Sequence, residues 1–226
     1  MSYANGPRIV TDGLVLCLDA GNRKSYPGSG STWYDLSGND NHISLVNSPS
    51  FTNGTYIRFD GTNQYGYIDI SNCSSNFKSM SKWTAIISMQ HYNNDSLWHQ
   101  IMGFKDGDNF VDYWYRNSNK NFHYNGGGGH DYTAVNLTNS GFSVWAHSIE
   151  IGTNNSKLYR NGLLGNTYTP TYLNTSATNL GFYIAKQPES TYHSNMSVAS
   201  IQIYNKVLTA AEIAQNYNAT KGRFGL

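Results

Sequence analysis

What most limits this chain is how its apolar residues are punctuated. They come in short runs, and Gly, Asn, Ser or Asp closes nearly every run within a few residues. Gly13-Leu14-Val15-Leu16-Cys17-Leu18-Asp19 is one such run, bounded by glycines, and reads as a buried strand. Further strands are expected over His42–Val46, Tyr56–Phe59, Tyr65–Ile70, Lys82–Gln90, Leu97–Phe104, Phe110–Arg116 and Asn121–Tyr124. Phe142–Gly152, Leu180–Ala185 and Val198–Tyr204 continue the series. Asn161-Gly162 between extended arms is a hairpin signal, since both central residues of a type I′ turn need positive φ. The stretch Ala20–Asn41 reads as loops around Trp33 and Tyr34.

A single segment carries helical periodicity. Thr209-x-x-Glu212 is a capping-box pattern, and Ile213 and Tyr217 give i, i+4 spacing over Ala210–Asn218. Composition agrees with a β protein. Ala, Glu and Lys are scarce, while 18 Tyr, 22 Gly and 28 Asn crowd into 226 residues. Many strands and one short helix predict an all-β, two-sheet antiparallel sandwich with a single C-terminal helix. The expected organisation is an N-terminal arm, residues 1–12, followed by one domain, residues 13–226.

Charge and hydropathy exclude several classes of function. A net charge of +1 lacks the basic footprint of a duplex nucleic-acid binder. No apolar run approaches the ~18 residues of a membrane span, so no membrane insertion is expected. With 38% apolar and 14% aromatic residues, the chain has the material for a core. Met1–Arg8 contains no basic segment followed by an apolar stretch, and use without export is the expectation. Cys17 and Cys73 are too few for a disulfide framework and are expected to be reduced thiols.

Several segments together carry a resemblance. Gly13–Asn22 (GLVLCLDAGN), Trp33–Asn41 (WYDLSGNDN), Ile57–Tyr65 (IRFDGTNQY), Leu158–Leu164 (LYRNGLL) and Ser200–Ala219 (SIQIYNKVLTAAEIAQNYNA) follow the order seen in concanavalin A-like, laminin-G-like jelly-roll domains. The opening GPRIVTDGLVLCLDAGNRKSYPGSGSTWYDLSGN and the closing NYNATKGRFGL resemble the stand-alone versions found in tailed-phage virion proteins. This resemblance implies a structural protein on the virion surface, assembled in the host cytoplasm, as capsid decoration or in a tail fibre or tail tip. Its implied partners are other virion structural proteins and a host-surface glycan, with a homo-oligomer expected for a fibre. The arms Ser2–Thr11 and Lys221–Leu226 are suited to docking on neighbouring subunits. A soluble carbohydrate-binding lectin is the alternative. Related domains often carry acidic residues before the "YN" strand that help bind a structural calcium, where this chain has Ser197-Val198-Ala199-Ser200. Asp35, Asn39 and Asp60 are left as calcium candidates or as turn residues, and no cofactor is otherwise expected.

The residues make a poor case for catalysis. Glycoside hydrolysis needs two carboxylates ~5–10 Å apart. Glu150, Glu189 and Glu212 form no Glu-x-Asp-x-Glu pattern, and Asp106 and Asp108 sit in turn chemistry. The histidines form neither His-Glu-x-x-His nor a tight cluster, and Gly126–Gly129 lacks the Lys-Ser/Thr of a phosphate loop. The expectation is a non-enzymatic protein without a metal site. A contact surface fits better. Tyr92–Tyr132 concentrates Trp98, Tyr113, Trp114, Tyr115, Tyr124 and Tyr132 with Asn, Asp and His. Trp98, Tyr115, Tyr124, His130 and Tyr132 are the candidates for glycan or protein contact. Core packing, subunit contact and glycan binding remain open for this cluster, and alternation could bury Trp114.

Overall fold

A computed structural model describes residues 8–78, 80–92, 98–104, 112–116, 121–125, 131–136, 141–150, 156–168, 181–187 and 191–226. At residues 98, 112, 114–116, 121–125, 131–136, 166 and 168 the description covers the backbone alone. The chain enters with β1 (Leu14–Asp19), β2 (Thr32–Trp33), β3 (Ile43–Val46), β4 (Ser50–Thr52), β5 (Tyr56–Asp60) and β6 (Tyr65–Asp69). A 3-10 turn, Ile70–Asn72, and the short helix α1 (Ser75–Lys78) lead into β7 (Lys82–His91). Next come β8 (Trp98–Phe104), β9 (Asp112–Arg116), β10 (Asn121–Asn125), β11 (Asp131–Asn136) and β12 (Ser143–Glu150). The remaining strands are β13 (Ser156–Arg160), β14 (Leu163–Tyr168), β15 (Gly181–Ile184) and β16 (Asn195–Tyr204), and the helix α2 (Ala210–Thr220) follows.

Two antiparallel sheets result. The first runs β14-β13-β12-β7-β16-β5-β4, with β1 also paired to β16. Strand β16 is long enough for β5 and β1 to share one of its sides end to end. β5 pairs with Asn195–Val198 and β1 with Ser200–Tyr204. The second sheet runs β11-β10-β9-β8-β15-β6-β3-β2. The main core lies between the sheets, where Trp33, Trp83, Trp145, Phe59, Phe77, Phe104 and Phe182 are fully buried. Three groups bridge this core with hydrogen bonds. Trp83 Nε1 on β7 donates to the Tyr113 hydroxyl on β9 at 3.2 Å, and His147 Nδ1 on β12 lies 3.1 Å from the same oxygen.

The outer face of the first sheet is closed as well. Ile86, Val144, Ala146, Tyr159 and Tyr204 project there beneath Leu208 and Ile213, with Val10, Tyr217 and Phe224 packed against them. This second layer explains why β7, β12 and β16 are buried almost continuously rather than at alternate residues. The capping box forms as expected. The Glu212 amide donates to Thr209 Oγ1 at 3.2 Å, and the Thr209 amide donates to Glu212 Oε2 at 2.7 Å. The described part of the N-terminal arm lies on this layer. Val10 N donates to Asn216 Oδ1, Gln215 Nε2 to the Arg8 carbonyl and the Tyr204 hydroxyl to the Val10 carbonyl. Both cysteines are free and buried, and burial pushes each thiol up to about 12.

Candidate functional site

With α2 over the first sheet, the outer face of the second sheet is, among the described residues, the broad strand surface left for contact. Alternation in Tyr65-Gly66-Tyr67-Ile68-Asp69 sorts β6 into two sides. Gly66 and buried Ile68 face inward, where a Cβ on Gly66 would come within 2.9 Å of Ile43 Cγ2. Tyr65, Tyr67 and Asp69 face outward beside Tyr183 of β15. The Tyr67 and Tyr183 rings are 4.7 Å apart between centroids, and Tyr65 stacks on Tyr183 at 6.2 Å. Lys186 Nζ sits 4.5 Å from the Tyr65 ring centroid, and His193 approaches the same ring at 6.0 Å. All of these side chains are half-buried, each presenting part of a ring or a polar tip to solvent.

At the β3 end this face becomes a cleft of about 290 Å³. Asp40, His42, Ser44, Tyr67, Asp69 and Asn72 line it. The Tyr67 hydroxyl donates to Asp69 Oδ2 at 2.8 Å, while Asp69 Oδ1 accepts from the Ser71 amide and hydroxyl at 2.8 and 2.6 Å. The Ser71 hydrogen bonds, helped by Tyr67, hold the Asp69 carboxyl below its ordinary range. Burial and the hydrogen bond to Asp69 push the Tyr67 phenol well above its own. His42 Nδ1 accepts from the Asp35 amide at 3.1 Å, so the uncharged ring carries its proton on Nε2. That nitrogen lies 3.9 Å from Asp40 Oδ1, and Tyr34 meets the ring edge-on at 5.2 Å.

The WYDLSGNDN segment holds His42 in this position. Asp35 is buried, and its two carboxylate oxygens accept from Cys17 N, Ser37 N, Ser37 Oγ and Asn41 N at 2.7–3.1 Å. Asn41, also buried, donates to the Val15 carbonyl and accepts from Ser74 N. The loop is thereby tied to β1 and to the start of α1. The calcium candidates of the sequence have these partners within the chain. Asp35 spends both oxygens on the loop, Asn39 donates to the Leu14 carbonyl, and Asp60 Oδ1 accepts from Thr62 N in a local turn. Ser197–Ser200, where related domains carry acids, is buried within β16, with Ser200 Oγ donating to Ser88 Oγ. Among the described residues no three His, Cys, Asp or Glu side chains converge as a metal shell.

The predicted contact residues fall on the other half of the same sheet. Trp98 opens β8, Tyr115 is in β9, Tyr124 in β10 and Tyr132 in β11. In register, Tyr124 is the partner of both Tyr113 and Tyr132, and Tyr115 of both His99 and Phe122. Their side chains, that of Trp114, and all of His130 lie outside the described residues. Tyr113 is the member of the cluster that is fully buried. Asp106, Asp108 and Glu189 also lie outside the described residues. Sequence reasoning missed Tyr65, Tyr67, Asp69 and Tyr183. Alternation in Tyr65–Asp69 was a signal for their shared side, but nothing local announces that β15 lies beside β6.

Two stacked antiparallel sheets with a closed outer layer on one side define a lectin-like jelly-roll sandwich. Residues 60–214 match the family described as the concanavalin A-like lectin/glucanases superfamily, and the chain belongs to it. Among solved structures it is similar to a sialidase from Trypanosoma rangeli, with a TM-score of 0.67 and 16% identity, covering 92% of this chain and 33% of that one. It is also similar to the ligand binding domain of botulinum neurotoxin serotype D, solved in complex with N-acetylneuraminic acid. There the TM-score is 0.70 and the identity 12%, covering 93% of this chain and 52% of that one. The chain thus spans only a third of the first structure's length and about half of the second's. None of the curated proteins searched matches it in sequence.

Proposed function

We propose that this chain is a non-enzymatic adhesion domain that offers the outer face of its second sheet to a glycan or protein partner. The observation that carries the reading is the row Tyr65, Tyr67 and Tyr183, with Asp69, Lys186 and His193 around it. Sugars present apolar C–H faces rimmed by hydroxyls, and tyrosine rings flanked by carboxylate, ammonium and imidazole groups complement both. The sialidase name does not carry an activity to a chain spanning a third of that protein. Two of the described acids have other work, Glu212 capping α2 and Asp69 bonding Ser71 and Tyr67.

The setting we propose is the surface of a bacteriophage virion, as capsid decoration or in a tail fibre or tail tip, in contact with other virion proteins. Its support is the resemblance of the two terminal segments to stand-alone tailed-phage proteins. A soluble lectin is the second reading, favoured by the neurotoxin domain's bound N-acetylneuraminic acid. In neither reading does the domain require a cofactor. A glycan array with the purified protein, combined with mass spectrometry of purified phage particles, tests both. Glycan retention without sugar release, and presence in the particles, are expected. Release of free sugar would end the non-enzymatic reading, and absence from particles would end the virion assignment in favour of the soluble lectin.

A further inference from the structure

We propose that the cleft between β3 and β6 is the sugar subsite of this face, and that it takes an uncharged pyranose through neighbouring hydroxyls rather than a carboxylate-bearing sugar. This rests on the adhesion reading above and specifies its ligand. The size suits one ring, since about 290 Å³ is at the low end of small-molecule sites. The Tyr67 ring supplies an apolar wall, and its hydroxyl is already committed to Asp69. That bond fixes the ring before any ligand arrives, so no rotamer entropy is lost on binding.

The polar groups divide into donors and acceptors as a diol requires. His42 offers Nε2–H, because the Asp35 amide occupies Nδ1. Asp69 Oδ1 is filled by the Ser71 amide and hydroxyl, whereas Oδ2, which among the described residues accepts only from Tyr67, keeps one lone pair for a ligand. Ser44 and Asn72 can both donate and accept. A sugar hydroxyl that donates to a carboxylate while accepting from an imidazole N–H makes the strong, charge-assisted type of hydrogen bond.

Charge sets the selectivity. Asp40 and Asp69 line the cleft, and among the described residues no Lys or Arg does. Of the nearby cations, Lys186 lies over the Tyr65 ring and Lys78 Nζ donates to the Ile70 carbonyl at 3.4 Å. A sialic or uronic acid would bring its carboxylate beside the like charges of Asp40 and Asp69, and such juxtaposition disfavours the wrong partner. The cleft therefore differs in ligand class from the N-acetylneuraminic acid bound by the neurotoxin domain.

The test uses the full chain and five probes: methyl glucoside, methyl galactoside, methyl mannoside, N-acetylneuraminic acid and glucuronic acid. Binding is read by shifts of the His42 ring signals in NMR titration. At least one neutral glycoside should shift them, with the acids at least tenfold weaker. Ser44→Ile, at an exposed strand position, should weaken the neutral sugar at least tenfold, and Asp40→Asn should narrow the gap to the acids. Asn72→Ala replaces Ser44→Ile if melting curves show the latter is unfolded. Neutral-sugar binding that survives the cleft variants, or acids binding as well as neutral sugars, would overturn the cleft assignment while leaving adhesion intact. An array hit with no response from any probe overturns it likewise. An empty array removes the glycan reading as well.

Discussion

Gly181 shows how one residue holds the tyrosine face in place. Its φ is +133°, and a Cβ there would be driven into the Ile68 carbonyl oxygen of the neighbouring strand. Gly181 pairs with Asp69, so the pressure falls on the β6–β15 junction that sets Tyr67 against Tyr183. Gly181→Ala is expected to cost about 3 kcal/mol from the backbone conformation and the clash together. Urea unfolding measures it, and a loss under 1 kcal/mol would show that β15 can shift away without harm. The other key residue is Asp35. The motif around it was visible in the sequence, including the reading that its side chain bonds nearby backbone. That one of its donors comes from Cys17 on β1 was not visible, because the bond spans 18 residues and depends on how the sheets stack.

Among the elements, β7, β9 and β12 are joined through the Tyr113 hydroxyl, which serves Trp83 and His147 inside the sandwich. Burial drives the His147 imidazole down to about 3 from its ordinary 6.5. The unfolded chain therefore takes up a proton below pH 6.5 that the folded chain refuses. Stability is full above pH 6.5 and falls as pH drops, by up to about 1.4 kcal/mol per pH unit until the folded value is reached. His193, also lowered chiefly by burial, acts in the same sense. Urea midpoints at pH 5.0 and 6.5 should differ clearly in the parent protein and much less in His147→Gln. Equal slopes in the two proteins would contradict a His147 that stays neutral. Strand β12 was legible as an apolar run, whereas β2, β4, β11 and α1 were not. Two or three residues, as in β2 and β4, give no period to detect, and α1 is a single turn.

For the molecule as a whole, the decisive feature is that, among the described residues, one sheet is covered on both faces and the other on one. Helix α2, the tail around Phe224 and the arm around Val10 close the first sheet, with Phe142 and Phe224 stacked at 5.2 Å and Arg223 paired to Asp19 at 2.6 Å. Removing residues 1–11 should cost about 2 kcal/mol through lost Val10 burial and three hydrogen bonds, lowering Tm by roughly 4–8 °C. An unchanged Tm would mean that the arm is only loosely held, leaving it free for the neighbour-docking role. The sequence by itself determined the strand-rich class and the C-terminal helix with its cap, because turn residues, alternation and capping act over a few neighbouring positions, while the superfamily came from the resemblance of several segments. Only the tertiary structure decided which sheet keeps an open face and which tyrosines share it. Those facts depend on pairing between segments more than a hundred residues apart, as β6 with β15, and no local pattern of side chains encodes such a partner.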